Sequence, residues 1–292
     1  MNEDETTLYD RQIRLWGAEA QQRMSSAHIL VDGVKALANE VLKTIVLAGV
    51  GSVTILDHHT VEPADLTGTF LSDKATAVGL NRVQAALGRL QDLNPRVKLH
   101  VDTDIIDSKS DDYFKQFNII CLTDTELATA MRVNRIAREA GVLFFWAGLH
   151  GYYGFFFEDL GDNFEYIYDQ TKDQETKTLT ATTKYPSLEE AVHTDSIAHK
   201  QSRRHVLSWI RHGVFVLHRF HSANGRWPTY EQEGDVQKMI KLRNAYVEEN
   251  KLDIATITDA QISHLSQCGN ISYGPAAAIV GGVLGQEILK AN

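Results

Sequence analysis

Only two cysteines, Cys121 and Cys268, occur in 292 residues, too few for a disulfide framework or a four-thiolate zinc site. Basic residues are also scarce. The 29 Lys and Arg face 38 Asp and Glu, a net charge of −9, which argues against a nucleic-acid surface, because neutralising phosphates needs clustered cations. Arg203-Arg204 is a local basic pair at most. No apolar run approaches the roughly 20 residues that span a bilayer, and the start, MNEDETT, is acidic and polar, unlike a signal peptide. These absences predict an intracellular, soluble chain with neither a nucleic-acid nor a membrane partner.

What is present is an ordinary globular composition, 43% hydrophobic and 23% charged, long enough for one large core or one core with an inserted unit. The chain is organised around residues 27–57. An apolar run, Ala27 to Val31, leads through the turn Asp32 to Ala38 into a helical pattern ending near Leu47, and a second run, Val53 to Leu56, ends on Asp57. Strand, Gly-containing turn, helix, strand and terminal acid form a nucleotide-binding βαβ unit, in which the acid holds a ribose and the turn cradles phosphate. The turn itself is short of glycine: Lys35, Ala36 and Ala38 stand where close backbone approach to an anion wants Gly.

Helical spacing recurs over 8–24, 79–93 and Glu126 to Ala140, and apolar strands over Lys98 to Val101, Asn118 to Leu122 and Val142 to Ala147. In the first helix Leu8, Ile13, Leu15 and Trp16 are expected to pack. The alternation predicts an α/β fold with a doubly wound, mainly parallel sheet and its crevice at the carboxyl ends of the strands, near Asp57 and Asp124. Residues 152–168 read as antiparallel strands, and the polar, Thr-rich 169–184 as an exposed linker or mobile loop. Helical patterns follow a start at Pro186 to Glu190, then over 198–221, about 230–249 and 258–267. The closing stretch Ala276 to Leu289 reads as a buried helix whose Gly281, Gly282 and Gly285 admit another backbone. The expected units are an α/β domain over 1–160, a linker with a mostly helical insertion over 161–270, and a closing helix over 271–292.

Each candidate site residue carries a plain reading beside a functional one. The Asp32 to Ala38 turn is a phosphate loop or a mere connection, and Asp32 adds negative charge where an anion would sit. Asp57 and Asp124 would hold ribose and Mg²⁺ in a working site, or serve as caps and solvated loop groups. Arg11 and Arg14 are surface groups, or one is an arginine delivered across an interface to a triphosphate. His58-His59 follow a strand, where neighbours do not easily give two ligands to one ion, so no metal site is expected there. His205, His212, His218 and His221 read as polar positions on an amphipathic helix. Cys121 reads as core, and Cys268 sits in an apparent turn without a cationic neighbour.

The segments YDRQIRLWG (Tyr9 to Gly17), LAGVGSVTILD (Leu47 to Asp57), RVQAALGRLQDLNP (Arg82 to Pro95) and AIVGGVLGQEILK (Ala278 to Lys290) resemble the ubiquitin-activating-enzyme superfamily. Within it, DHHTVEPADL, VDTDIID, YFKQFNIICLTDTE and YYGFFFEDLG are most similar to the branch formed by the smaller subunits of SUMO-activating enzymes. The resemblance implies a pseudo-adenylation subunit in an obligate heterodimer, not active alone. Its catalytic partner would hold ATP, Mg²⁺, the catalytic cysteine and most of the contact with SUMO, with no cofactor bound by this chain itself. Departures from the catalytic pattern agree with this. Glycines are replaced by Lys35, Ala36 and Ala38, and an Asn-Leu-x-Arg-Gln run by Asp65-Leu66-Thr67-Gly68-Thr69. The family lysine aligns with Arg82, and the family zinc motif is missing. Asp57, Arg82 and Asp124 are then vestigial, and Arg11 is the arginine that reaches the partner's ATP, with Arg14 supporting the helix or interface. A nuclear location, with the cytoplasm possible, goes with that reading. The Nedd/Rub-type equivalent and a homodimeric adenylating enzyme are the alternatives.

Overall fold

A computed structural model describes residues 3–172, 175–193, 209–269 and 271–292. Helices α1 (Glu3–Leu8) and α2 (Asp10–Ser26) precede β1 (His28–Asp32), α3 (Ala36–Ala48), β2 (Ser52–Leu56), α4 (Arg82–Leu93) and β3 (Lys98–Asp102). Then come α5 (Asp111–Phe114), β4 (Ile119–Thr123), α6 (Leu127–Ala140), β5 (Leu143–His150) and β6 (Tyr153–Asp159). The strands lie in the order β3-β2-β1-β4-β5-β6, with β1 to β5 parallel and β6 antiparallel to β5. This is the doubly wound α/β sheet the alternation predicts. β4 is buried at all five positions, which is why IICLT reads as a continuous apolar run rather than an alternating one. Connections run outward from β1 on one side and from β4 on the other, so the chain reverses there and a crevice opens at their carboxyl ends.

The remaining chain forms β7 (Phe164–Lys172), β8 (Glu175–Thr183), α7 (Leu188–His193), α8 (Trp209–Asn224), α9 (Asp235–Glu249), α10 (Asp259–Cys268) and α11 (Gly274–Ala291). α8, α9 and α10 share their own core of Phe215, Leu217, Phe220, Met239, Tyr246, Ile262 and Leu265. A capping box of Thr258 and Gln261 starts α10, satisfying N–H groups that the first turn leaves free.

Three expectations are corrected. Residues 169–184 are no loop: β7 and β8 pair antiparallel with Tyr168 opposite Leu179 and Tyr166 opposite Ala181. The threonines are β-branched and favour extended backbone, while Tyr166, Tyr168 and Leu179 supply one apolar face that the polar composition hid. In the first helix, Leu8 (57% exposed), Leu15 (78%) and Trp16 are not buried. Gly17, at φ 88°, breaks the helix, and Tyr9, Gln21 and Met24 do the packing instead. Finally, His212 and His218 are buried rather than surface groups, because α8 is sandwiched between the sheet's end and α9. The part of the 198–221 pattern before Trp209, with Arg203, Arg204, His205 and Val206, lies outside the described residues.

α11 closes the fold on α3 through Gly281 and Gly285, while Gly282, expected to admit another backbone as well, faces open space. A Cβ on Gly281 would stand 2.6 Å from the Glu40 Cβ and 3.0 Å from the Leu37 carbonyl oxygen, whereas one on Gly282 meets nothing. Gly281→Val is therefore expected to cost about 1–3 kcal/mol of stability, the usual penalty for overpacking. Gly282→Ala should be neutral or slightly stabilising. Urea unfolding of both variants checks the difference, and equal midpoints would show that this helix contact is not close.

Candidate functional site

The crevice is built from the ends of β1, β2 and β4. After β1 the chain turns at Gly33 (φ 89°), whose N–H donates to the Leu56 carbonyl at 2.8 Å. A Cβ there would lie 2.6 Å from the Thr123 Oγ1, so only glycine fits. Asp57, at the end of β2, is 3% exposed. Its Oδ2 accepts the Val34 N–H at 2.9 Å, and its Oδ1 accepts the His59 N–H at 2.9 Å and faces the His59 Nδ1 at 2.8 Å. Burial alone would raise this carboxyl, but the His59 bonds and the Arg82 charge outweigh it and hold it below the usual carboxylate range. Each carboxylate oxygen already accepts a bond from this chain, and the group is buried.

Arg82 is likewise occupied. It is 6% exposed, and its Nε and Nη2 donate to the two Asp65 oxygens at 2.9 and 3.2 Å. Its Nη1 stands 3.8 Å from Asp57. The fork-to-carboxylate pairing fixes the guanidinium sideways in the crevice, so the position that resembles the family lysine is locked to the position that resembles the family asparagine. The same segment seals the turn. A Cβ on Gly68 would be 2.8 Å from the Ala36 Cβ, and Asn39 Nδ2 donates to the Thr69 Oγ1. The first turn of α3, where a phosphate would rest, lies under residues 68 and 69.

Asp32 is buried, and its Oδ2 accepts the Thr125 hydroxyl at 2.6 Å. Burial pushes its carboxyl up to about 7 against the pull of the Thr125 bond, with the Asp57 charge adding to the rise. It is therefore only partly charged at neutral pH, and its repulsion of an anion is weaker than its side chain suggests. Asp124, at φ 56°, accepts the Leu149 N–H at 3.1 Å through Oδ1, and its Oδ2 has no partner among the described residues. Beside it, His150 is buried with Nδ1 2.9 Å from the Gly269 carbonyl. The Trp227 ring covers this end, with its centroid 5.0 Å from His150, 5.0 Å from His218 and 4.4 Å from His221. Burial holds His150 and His218 below the ordinary histidine range.

Arg11 is elsewhere. Tyr9, two residues before it, is buried with its side chain against Gly49, and its hydroxyl accepts the Asn94 Nδ2 at 2.8 Å. Gly49 follows α3 and precedes β2, so this anchor is at the opposite edge of the sheet from Asp32, Asp57 and Asp124. Five-residue strands at about 3.3 Å per residue separate the two edges by roughly 17 Å. The Arg11 side chain is exposed, with no hydrogen-bond or ion-pair partner among the described residues. Arg14 pairs with Asp10 at 3.0 Å on the same surface.

The structure thus brings Asp57, Arg82 and Asp124 to one crevice and leaves Arg11 outside it. Sequence reasoning missed Asp65 as the Arg82 partner, Thr125 on Asp32, and the Trp227 and His218 cover. The paired departures at 65 and 82 were the one available signal. Neither cysteine offers a nucleophile. Burial pushes the Cys121 thiol far up, and Cys268, at the end of α10, donates to the His264 carbonyl at 2.9 Å.

A doubly wound sheet with a Gly turn and a strand-end acid, its Asp57, Arg82 and Asp32 bonded within the chain, defines a fold of the nucleotide-binding class. The chain belongs to the ThiF family, whose model matches residues 9–292. Among individual relatives, it is 33% identical to SUMO-activating enzyme subunit 1 of Danio rerio, over 100% of this chain and 88% of that protein. It is 31% identical to SUMO-activating enzyme subunit 1 of Homo sapiens, over 100% and 89%. For SUMO-activating enzyme subunit 1B-1 of Arabidopsis thaliana the identity is 34%, over 99% and 89%.

Proposed function

We propose that this chain is the smaller, pseudo-adenylation subunit of a heterodimeric SUMO-activating enzyme. In this reading its partner binds ATP and Mg²⁺, adenylates the SUMO carboxyl terminus and forms the thioester on the partner's own cysteine. Full-length similarity to proteins called SUMO-activating enzyme subunit 1 supports the assignment. The observation that carries the non-catalytic half is the double occupation of Asp57 and Arg82 by Val34, His59 and Asp65. Groups already bonded within the chain in this way offer a nucleotide few free partners, which supports assigning no chemical step to this crevice.

The position of Arg11 supports a role in trans: it is exposed, and Tyr9 anchors it about a sheet's width from its own crevice. There its fixed charge and forked donors suit the phosphates of a nucleotide held by another subunit. The exposed Leu8, Leu15 and Trp16 around it are apolar surface of the kind a partner covers. A nuclear location for the enzyme so assembled, with the cytoplasm as the second, rests on the family resemblance alone.

Titration calorimetry with Mg-ATP tests the assignment. The isolated chain is expected to give no binding heat, and the pair reconstituted with the catalytic subunit one site per heterodimer. ATP binding by the isolated chain would favour a self-sufficient homodimeric adenylating enzyme. Thioester charging of a Nedd/Rub-type modifier in preference to SUMO would move the chain to the equivalent subunit for that modifier.

A further inference from the structure

We propose that His58 and His59 form a site for one divalent transition-metal ion of the zinc, copper or nickel type, oriented by Asp57. In a strand, neighbouring side chains point to opposite faces and could not share an ion. β2, however, ends at Leu56, and residues 57–59 are irregular. Released from the alternation, the two imidazoles lie side by side, with ring centroids 3.8 Å apart and planes tilted by 36°. One donor atom from each of Asp57, His58 and His59 falls within 4.8 Å of the others.

The carboxylate supplies the feature that adjacent surface histidines ordinarily lack. Asp57 Oδ1 stands 2.8 Å from the His59 Nδ1. An ionised carboxylate only accepts, so in the neutral ring the proton sits on Nδ1 and the lone pair on Nε2. A carboxylate that holds one ring nitrogen and frees the other is the arrangement that orients metal-bound histidines and raises their basicity. Asp57 is itself immobile, pinned by the Val34 and His59 N–H groups, so the orientation of His59 costs little on binding. The His59 side chain is 57% exposed, which leaves solvent access and room for water in the remaining coordination positions. Two imidazoles select zinc, copper or nickel over magnesium or calcium, which prefer oxygen donors.

The inference is independent of the proposed function, because the site lies wholly within this chain and its test needs neither modifier nor partner. The full-length, tag-free chain is titrated with Zn²⁺ by calorimetry and with Cu²⁺ by electron paramagnetic resonance. The expected result is one Zn²⁺ per chain and a Cu²⁺ spectrum with coupling to two imidazole nitrogens. His58→Gln and His59→Gln should each weaken Zn²⁺ binding by about tenfold or more, and Asp57→Asn by about tenfold, because the amide oxygen still accepts the ring proton but no longer carries the charge that raises the basicity of His59. His264→Gln, on α10, should leave binding unchanged. Both histidines are surface groups, and circular dichroism of each variant confirms folding. Unchanged stoichiometry and affinity in the His58→Gln/His59→Gln double variant would overturn the proposal, as would the absence of a one-equivalent site in the wild type.

Discussion

Arg11→Ala in the reconstituted heterodimer is expected to lower ATP–pyrophosphate exchange by about 100-fold, the scale set by removing one donor aimed at charge that develops in a transition state. The chain's own stability should not change, since Arg11 is exposed and makes no ion pair or hydrogen bond among the described residues. Loss of rate without loss of folding is what separates a role on the partner's nucleotide from a structural one. Arg11→Lys should recover part of the rate, because it restores the charge but not the forked donors that grip phosphate oxygens in pairs. Arg14→Ala, which removes only an exposed pair with Asp10, should cost at most a few-fold, in line with the small value of such pairs. Exchange at the wild-type rate with Arg11→Ala would reduce the chain to a scaffold.

The second large effect concerns stability. Asp32→Asn is expected to stabilise the protein at pH 8 by about 2–4 kcal/mol and to do progressively less as the pH falls. In the folded chain the Asp32 carboxyl is pushed up to about 7 from an ordinary 3.8. The folded state therefore keeps a proton that the unfolded state releases, and its advantage is complete below about pH 4. It is lost as the pH rises through the window from about 4 to about 7, where ionisation must occur in a buried site. Asparagine retains an oxygen to accept the Thr125 hydroxyl and cannot ionise. Its amide nitrogen would face the Asp57 and Asp107 charges that push Asp32 upward. The buried His150 and His218 act in the opposite sense. Their lowered pKa values contribute stability that is present above about pH 6.5 and lost as the pH falls. They are common to both proteins and cancel in the comparison. Urea unfolding at pH 5 and pH 8 measures the difference, and a gap that does not depend on pH would show that Asp32 does not titrate in that range.

Both predictions arise from one arrangement. The crevice keeps the frame of a nucleotide site, but its charged groups answer one another: Arg82 to Asp65, Asp57 to the Val34 N–H and the His59 ring, Asp32 to Thr125. In the proposed reading, a crevice that need not hold phosphate is free of the glycine requirement in the turn. Ala36 can then pack beneath Gly68, and only Gly33, pressed on Thr123, must remain. Arg11 escapes this closure because Tyr9 fastens the first helices to the far edge of the sheet.

The amino-acid sequence by itself determined the parallel sheet, the strand-end positions of Asp57 and Asp124, the glycine-poor turn and the closing helix. Each is written in a run of adjacent residues, as an apolar stretch, a helical repeat, a glycine or an acid, and local sterics and burial convert such runs into elements. Tertiary structure alone decided what those elements do to one another. The Asp65–Arg82 pair joins residues 17 apart, Trp227 crosses from the helical region to cover His150, and the hairpin of residues 164–183 hides its apolar face in a polar composition. It also decided that His58 and His59 lie beyond the last hydrogen-bonded residue of β2, side by side instead of on opposite faces. Such contacts depend on which distant side chains meet in three dimensions, and no periodicity along the chain records them.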